Sequence, residues 1–139
     1  MSSVYFDPAI SVNQVHSHAV LLYFWSATDK AALANLEELS KLQEANPGTE
    51  VIAVHPPIPD RKPIEDLARE RHFKMQMVFD LADGSGIRRT AQSFGLNGSP
   101  QLVLFEIRSP YPDWIVYALP ESMDEAEKLV ELVLKRGAS

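Results

Sequence analysis

The segment Phe24-Trp25-Ser26-Ala27-Thr28-Asp29-Lys30-Ala31-Ala32-Leu33-Ala34-Asn35-Leu36-Glu37-Glu38-Leu39 joins two unlike patterns within a few residues. It begins inside Ala19-Val20-Leu21-Leu22-Tyr23-Phe24-Trp25, an unbroken apolar and aromatic run whose length suits a strand buried on both faces. Beyond it, Leu33, Leu36, Leu39 and Leu42 recur near helical spacing, with Thr28 or Asp29 as the cap. The helix is expected to stop before Asn46-Pro47-Gly48, a cluster of breakers. Val51-Ile52-Ala53-Val54, closed by Pro56 and Pro57, then reads as a second buried strand. Strand, helix and strand in this order make a βαβ unit with a parallel strand pair.

The pattern continues away from this unit. Lys62 to His72 reads as a short helix, with Pro63 in its first turn and Ile64, Leu67 and Ala68 on one face. Met75-Gln76-Met77-Val78-Phe79 is a short strand, closed by the turn Asp83-Gly84-Ser85-Gly86. Ile87 to Phe94 is expected to be helical, with Gly95 in the left-handed position that ends it. Gln101 to Ile107 and Trp114 to Ala118 form an antiparallel pair across a proline-containing turn. Glu121 to Arg136 carries the clearest helical stripe: Met123, Ala126, Leu129, Val130, Val133 and Leu134. The expected class is α/β, a mixed central sheet flanked by helices, with a helix–strand insertion.

Composition narrows the functions available. The 139 residues suit one compact domain, and 45% hydrophobic with 23% charged residues is the balance of a soluble globular protein. Lys and Arg number 13 against 19 Asp and Glu, a net charge of −6 that argues against nucleic acid or an anionic membrane as partner. Cysteine is absent, so no disulfide, thiolate metal site or cysteine nucleophile is possible. No apolar run approaches the roughly 18 residues of a membrane span, and Met1-Ser2-Ser3-Val4-Tyr5 lacks the pattern of a signal peptide. His16 and His18 face the same way if their segment is extended, but no third ligand stands beside them, and no metal or other cofactor is expected. Compartment, oligomeric state and the identity of any partner are left open.

Two segments carry a family resemblance. The quoted stretch from Phe24 resembles, without a gap, the F-W-A-x-W-C-x-x-C segment of thioredoxins and the helix after it. Phe94-Gly95-Leu96-Asn97-Gly98-Ser99-Pro100-Gln101 resembles the Y-G-V-x-G-x-P-T segment that holds the family's cis-proline. The insertion from about Pro56 to Asp80 is similar to that of exported thiol-disulfide reductases and peroxiredoxin relatives. The resemblance spans Ala19 to Arg136 and implies that residues 1–139 form a single thioredoxin-like domain. On this alignment Asp29 replaces the attacking cysteine and Ala32 the resolving one, while Thr28 replaces the second tryptophan. Tyr23 stands where thioredoxin keeps a buried acid, and Asn35 where exported reductases often keep a glutamate. A carboxylate forms no mixed disulfide and alanine resolves none, so no catalytic residue carries over.

The resemblance also implies a site. Asp29 has two readings: a helix cap worth roughly 0.3–1 kcal/mol, or a permanent anion where the family holds a thiolate. Pro100 is expected to follow a cis bond from Ser99, in a loop whose backbone pairs with an extended peptide in the family; otherwise it is a turn proline that serves folding alone. Trp25, Asp29, Ser99 and Pro100 then form a peptide-binding edge, with His55 at the end of the second strand as an accessory residue. An acid–base pair of His55 with Asp29 lacks a nucleophile to serve. Three functions follow: a redox-inactive domain that binds a protein or peptide, an oxidoreductase relative in cysteine-free form, by design or by recent loss, or a purely structural module.

Overall fold

The computed structural model describes residues 6–7, 17–28, 30–81, 101–108 and 113–137. The apolar run seen in the sequence becomes β2 (Ala19–Phe24), and α1 (Lys30–Ala45) and β3 (Thr49–His55) follow it. Next come α2 (Lys62–Glu70) and β4 (Gln76–Asp80), the insertion; then β5 (Gln101–Glu106), β6 (Ile115–Ala118) and α3 (Met123–Gly137). A two-residue strand, β1 (Phe6–Asp7), precedes them all. The expected helix from Ile87 to Phe94, with Gly95, lies outside the described residues.

Among the described residues the sheet has six strands in the order β1-β4-β3-β2-β5-β6. β2, β3 and β4 run parallel, and β1, β5 and β6 pair antiparallel with their neighbours. β2 is the hinge of this mixed arrangement: Phe24 pairs with Val54 on one side and Gln101 on the other. Side chains alternate between two cores. Ala19, Leu21, Tyr23 and Trp25 point to the face covered by Ala32, Leu36, Leu39 and Leu42 of α1, Ile64 of α2, and Ala126, Val130 and Val133 of α3. Val20, Leu22 and Phe24 point to the other face, with Ile52, Val54, Phe105 and Trp114.

Element ends explain the small differences from expectation. α1 stops at Asn46 because its Nδ2 and backbone N–H both donate to the Leu42 carbonyl, at 2.9 and 3.1 Å. Gln43 then reaches across, and its Oε1 accepts the Val51 N–H at 2.7 Å, one residue before β3 begins to pair with β4. α3 starts two residues later than Glu121 because Ser122 is its cap: Ser122 Oγ accepts the Glu125 N–H at 3.1 Å. β4 extends one residue beyond Phe79, since Asp80 pairs with Phe6 of β1. Glu106 is buried at the opposite end of the sheet from Phe24, held by Arg108 at 2.6 Å and by Arg136 of α3 at 3.4 Å.

The insertion is tethered at its turn. Arg71 bonds Glu37 of α1 at 2.6 Å and Lys74 approaches Glu44 of α1 at 3.6 Å. At the sheet's far side, β6 has a register shift against β5 between Leu104 and Phe105, and Ile115 and Val116 stay partly exposed. Helix α2 ends earlier than expected, at Glu70, in a Schellman motif: Phe73 N–H donates to Ala68 O at 3.1 Å and His72 N–H to Arg69 O at 3.2 Å. The motif forces His72 to a φ of 58°, where glycine is the favoured residue. His72→Gly is therefore expected to stabilise the fold by about 0.5–1 kcal/mol, the strain relieved less the extra freedom of glycine in the unfolded chain. Urea unfolding would register it as a higher midpoint with an unchanged slope; an unchanged or lower midpoint contradicts it.

Candidate functional site

The parallel strands end together. β2 closes at Phe24 and β3 at His55, and the backbone continues the ladder for one more step, with Trp25 N–H donating to Val54 O at 3.1 Å. β5 begins beside them at Gln101, because it runs the other way. Thr28 and Lys30, the neighbours of Asp29 in the chain, and Gln101, the residue after Pro100, thus belong to one edge of the sheet. Asp29, Ser99 and Pro100 themselves lie outside the described residues. Between β2 and α1 the loop carries Ser26, half-buried, and Ala27 and Thr28, both exposed. Ser26 Oγ is 2.9 Å from Thr28 Oγ1 and accepts the Thr28 N–H at 3.4 Å, a compact turn that aims the chain into the helix.

Beneath this loop lies a row of rings from the ends of the three parallel strands, Trp25 standing one residue past β2. Trp25 and His55 meet edge-on, with centroids 4.9 Å apart at 79°, and His55 meets Phe79 at 5.9 Å and 64°. Arg61, just before α2, places its guanidinium 4.5 Å from the Phe79 centroid. The register sets this row: His55 pairs with Phe79, and Trp25 stands one residue beyond the Phe24–Val54 pair. All three rings are buried, and the Trp25 Nε1–H finds no acceptor among the described residues. His55 is tied to the loop as well. Its Nε2 accepts the Ala27 N–H at 3.2 Å, and its Nδ1 lies 2.9 Å from the Pro56 carbonyl oxygen.

Deeper under the start of α1 lies a neutral pair. Ala32 is fully buried, a methyl group packed in the core with Tyr23, Trp25 and Leu36. One turn on, Asn35 Nδ2 donates to the Tyr23 hydroxyl at 3.1 Å. Among the described residues no three His, Asp or Glu side chains are grouped to hold a metal ion, and no helix is long and apolar enough to cross a membrane.

No family model and no curated protein matches the sequence. Solved structures do match. A thiol:disulfide interchange protein from Bacteroides sp. is 18% identical, with 95% of this chain and 84% of that one covered at a TM-score of 0.69. A thiol-disulfide oxidoreductase from Bacteroides fragilis NCTC 9343 is 23% identical over 83% of this chain and 81% of its own, at 0.61. A thioredoxin-like protein from Aeropyrum pernix is 20% identical over 91% and 82%, at 0.63. The fold is thioredoxin-like.

Within the thioredoxin-like frame, the positions singled out from the sequence separate into two groups. Trp25, His55, Ala32, Tyr23 and Asn35 come together beneath the start of α1; Thr28 stands above them in the loop. Trp25 supports the edge from below, since its ring has no exposed surface. Sequence reasoning missed Phe79 and Arg61, which reach the row only through the β3–β4 register. It named Tyr23 and Asn35 without the bond between them; the signal was Asn35's place three residues after Ala32, beside the buried stripe of α1. Both positions that the resemblance gives to acids now hold neutral groups that satisfy each other. A double-mutant cycle with Tyr23→Phe and Asn35→Ala is expected to show a coupling of about 0.5–1.5 kcal/mol in urea unfolding. Strict additivity would mean the bond contributes nothing.

Proposed function

We propose that this chain is a redox-inactive thioredoxin-like domain that binds a protein or peptide at the edge where β2 and β3 end and β5 begins. Asp29, Ser99 and Pro100 are its contact residues, and Trp25 and His55 support them from beneath. The observation that carries this reading is chemical: on a fold shared with thiol-disulfide oxidoreductases, the chain has no cysteine, and a buried methyl group at Ala32 stands at the resolving position. The described residues beside this edge support the reading: a turn at Ser26–Thr28 with a packed row of rings below it. With the sulfur chemistry gone, surface recognition is the use left for such an edge. The net charge of −6 favours protein over nucleic acid as the partner.

Two measurements test this. The protein is expected to reduce insulin disulfides no faster than dithiol alone, and turnover that depends on Asp29 would overturn the non-enzymatic reading. When extended peptides are titrated into labelled protein, amide shifts should concentrate at Ser26–Thr28, His55 and Gln101. Asp29→Asn should weaken that binding with little change in melting temperature, because asparagine caps a helix about as well as aspartate. Shifts confined to other surfaces would remove the edge as the binding site. The double change Asp29→Cys with Ala32→Cys restores the sulfur spacing, and an internal disulfide with slow insulin reduction at best is expected. Failure to pair would refute the ungapped alignment, and rapid reduction would favour recent loss of an active site.

A further inference from the structure

The acids of α1 stand on two flanks that the fold treats differently. Glu37 and Glu44 lie two turns apart on one flank, and the turn of the insertion meets both. Arg71 bonds Glu37 at 2.6 Å, and Lys74 approaches Glu44 at 3.6 Å. Between those cations in the chain, Phe73 packs against the core. A short run of basic, apolar and basic residues thus covers this flank, its charges on the carboxylates and its ring out of water.

On the other flank Glu38, Leu42 and Ala45 follow at i, i+4 and i+7, beside a groove of about 370 Å³ whose far wall is α3. Its apolar lining comes from Leu42, buried, Met123 of α3, half-buried, and Ala45. Its exposed carboxylates are Glu38, Asp124 and Glu127. None of these three has a hydrogen bond or ion pair with a side chain of the described residues. Asp124 lies in the first turn of α3, where the helix dipole already favours an anion. Glu127 comes after that turn and Glu38 is in the middle of α1, so the dipole accounts for neither. Lys41 is the cation in the lining, and against three carboxylates it leaves the groove negative.

We propose that the groove between α1 and α3 is a docking site for a basic segment of a partner protein, an apolar side chain between two Lys or Arg residues. The apolar side chain covers Leu42 and Met123, and the cations reach Glu38 on one wall and Glu127 on the other. Charge complementarity selects this occupant, and the insertion shows the same chemistry at work on the neighbouring flank of α1. A second copy of a chain with net charge −6 is a poor match for a negative groove. The groove follows the second half of α1, away from the sheet edge at its start, and does not depend on the binding role proposed above.

The probe is a peptide of the sequence Arg71-His72-Phe73-Lys74-Met75, capped at both ends and titrated at low salt into nitrogen-15-labelled protein. A control peptide carries glutamate in place of both Arg71 and Lys74. Saturable amide shifts are expected at Leu42, Ala45, Asn46, Met123 and Glu127 with the basic peptide alone, weakening as salt is raised. Glu38→Gln with Glu127→Gln should lower the affinity roughly three- to ten-fold, the loss of two exposed ion pairs. Lys41→Gln removes the opposing charge and should raise it. Glu65→Gln with Glu70→Gln makes the same change of net charge on α2 and should leave it unaltered. All these side chains are exposed, and an unchanged melting temperature checks each variant. The proposal is overturned if the groove amides show no saturable shift, or if shifts gather at Ser26–Thr28 or on the insertion instead. Equal binding of the glutamate peptide overturns it too. So does an equal loss in the Glu65 and Glu70 double variant, which would mean attraction by net charge alone.

Discussion

Six consecutive buried residues, Ala19 to Phe24, set the rest of this structure. A strand buried on both faces must find hydrogen-bond partners on both edges, because an unpaired backbone group in that position costs more than most packing gains return. β3 and β5 supply them, one parallel and one antiparallel. The register is then held by side chains. A slip of one residue would carry Leu21 and Tyr23 out of the core under the helices and into the opposite one. It would also move the Tyr23 hydroxyl away from Asn35. Everything at the edge inherits its position from where this strand stops.

Much of that was legible in the sequence. An apolar run too short for a membrane, followed at once by a helical stripe and then by a second apolar run, leaves few topologies open. Helix ends were less legible. The start of α3 depends on Ser122, whose spacing to Glu125 is a capping signal that the longer apolar stripe concealed. The end of α2 depends on a left-handed histidine, a residue type that announces no such conformation. β1 was beyond reach, because two residues hold no period and exist as a strand only through Asp80 and Phe79.

The site was legible as positions and not as interactions. Local pattern and resemblance marked Trp25, Ala32, Tyr23, Asn35 and His55, since each sits on an element whose phase the sequence reveals. What joins them is cross-strand register and side-chain direction, which no local pattern encodes. The Tyr23–Asn35 bond and the row from Trp25 to Phe79 join side chains that lie far apart in the sequence.

The shifted pairing of β6 has a consequence for how these molecules behave at high concentration. Among the described residues its outer side has no paired strand, and Ile115 and Val116 are partly exposed, the ingredients of strand-by-strand polymerisation. Yet the strand is four residues long, kinked by the shift and followed closely by Pro120, which has no N–H to offer an incoming chain. A second molecule docking there would meet a bent, abbreviated template with few backbone bonds to offer. The irregularity that weakens one strand within the sheet also makes it a poor template for a strand added from outside.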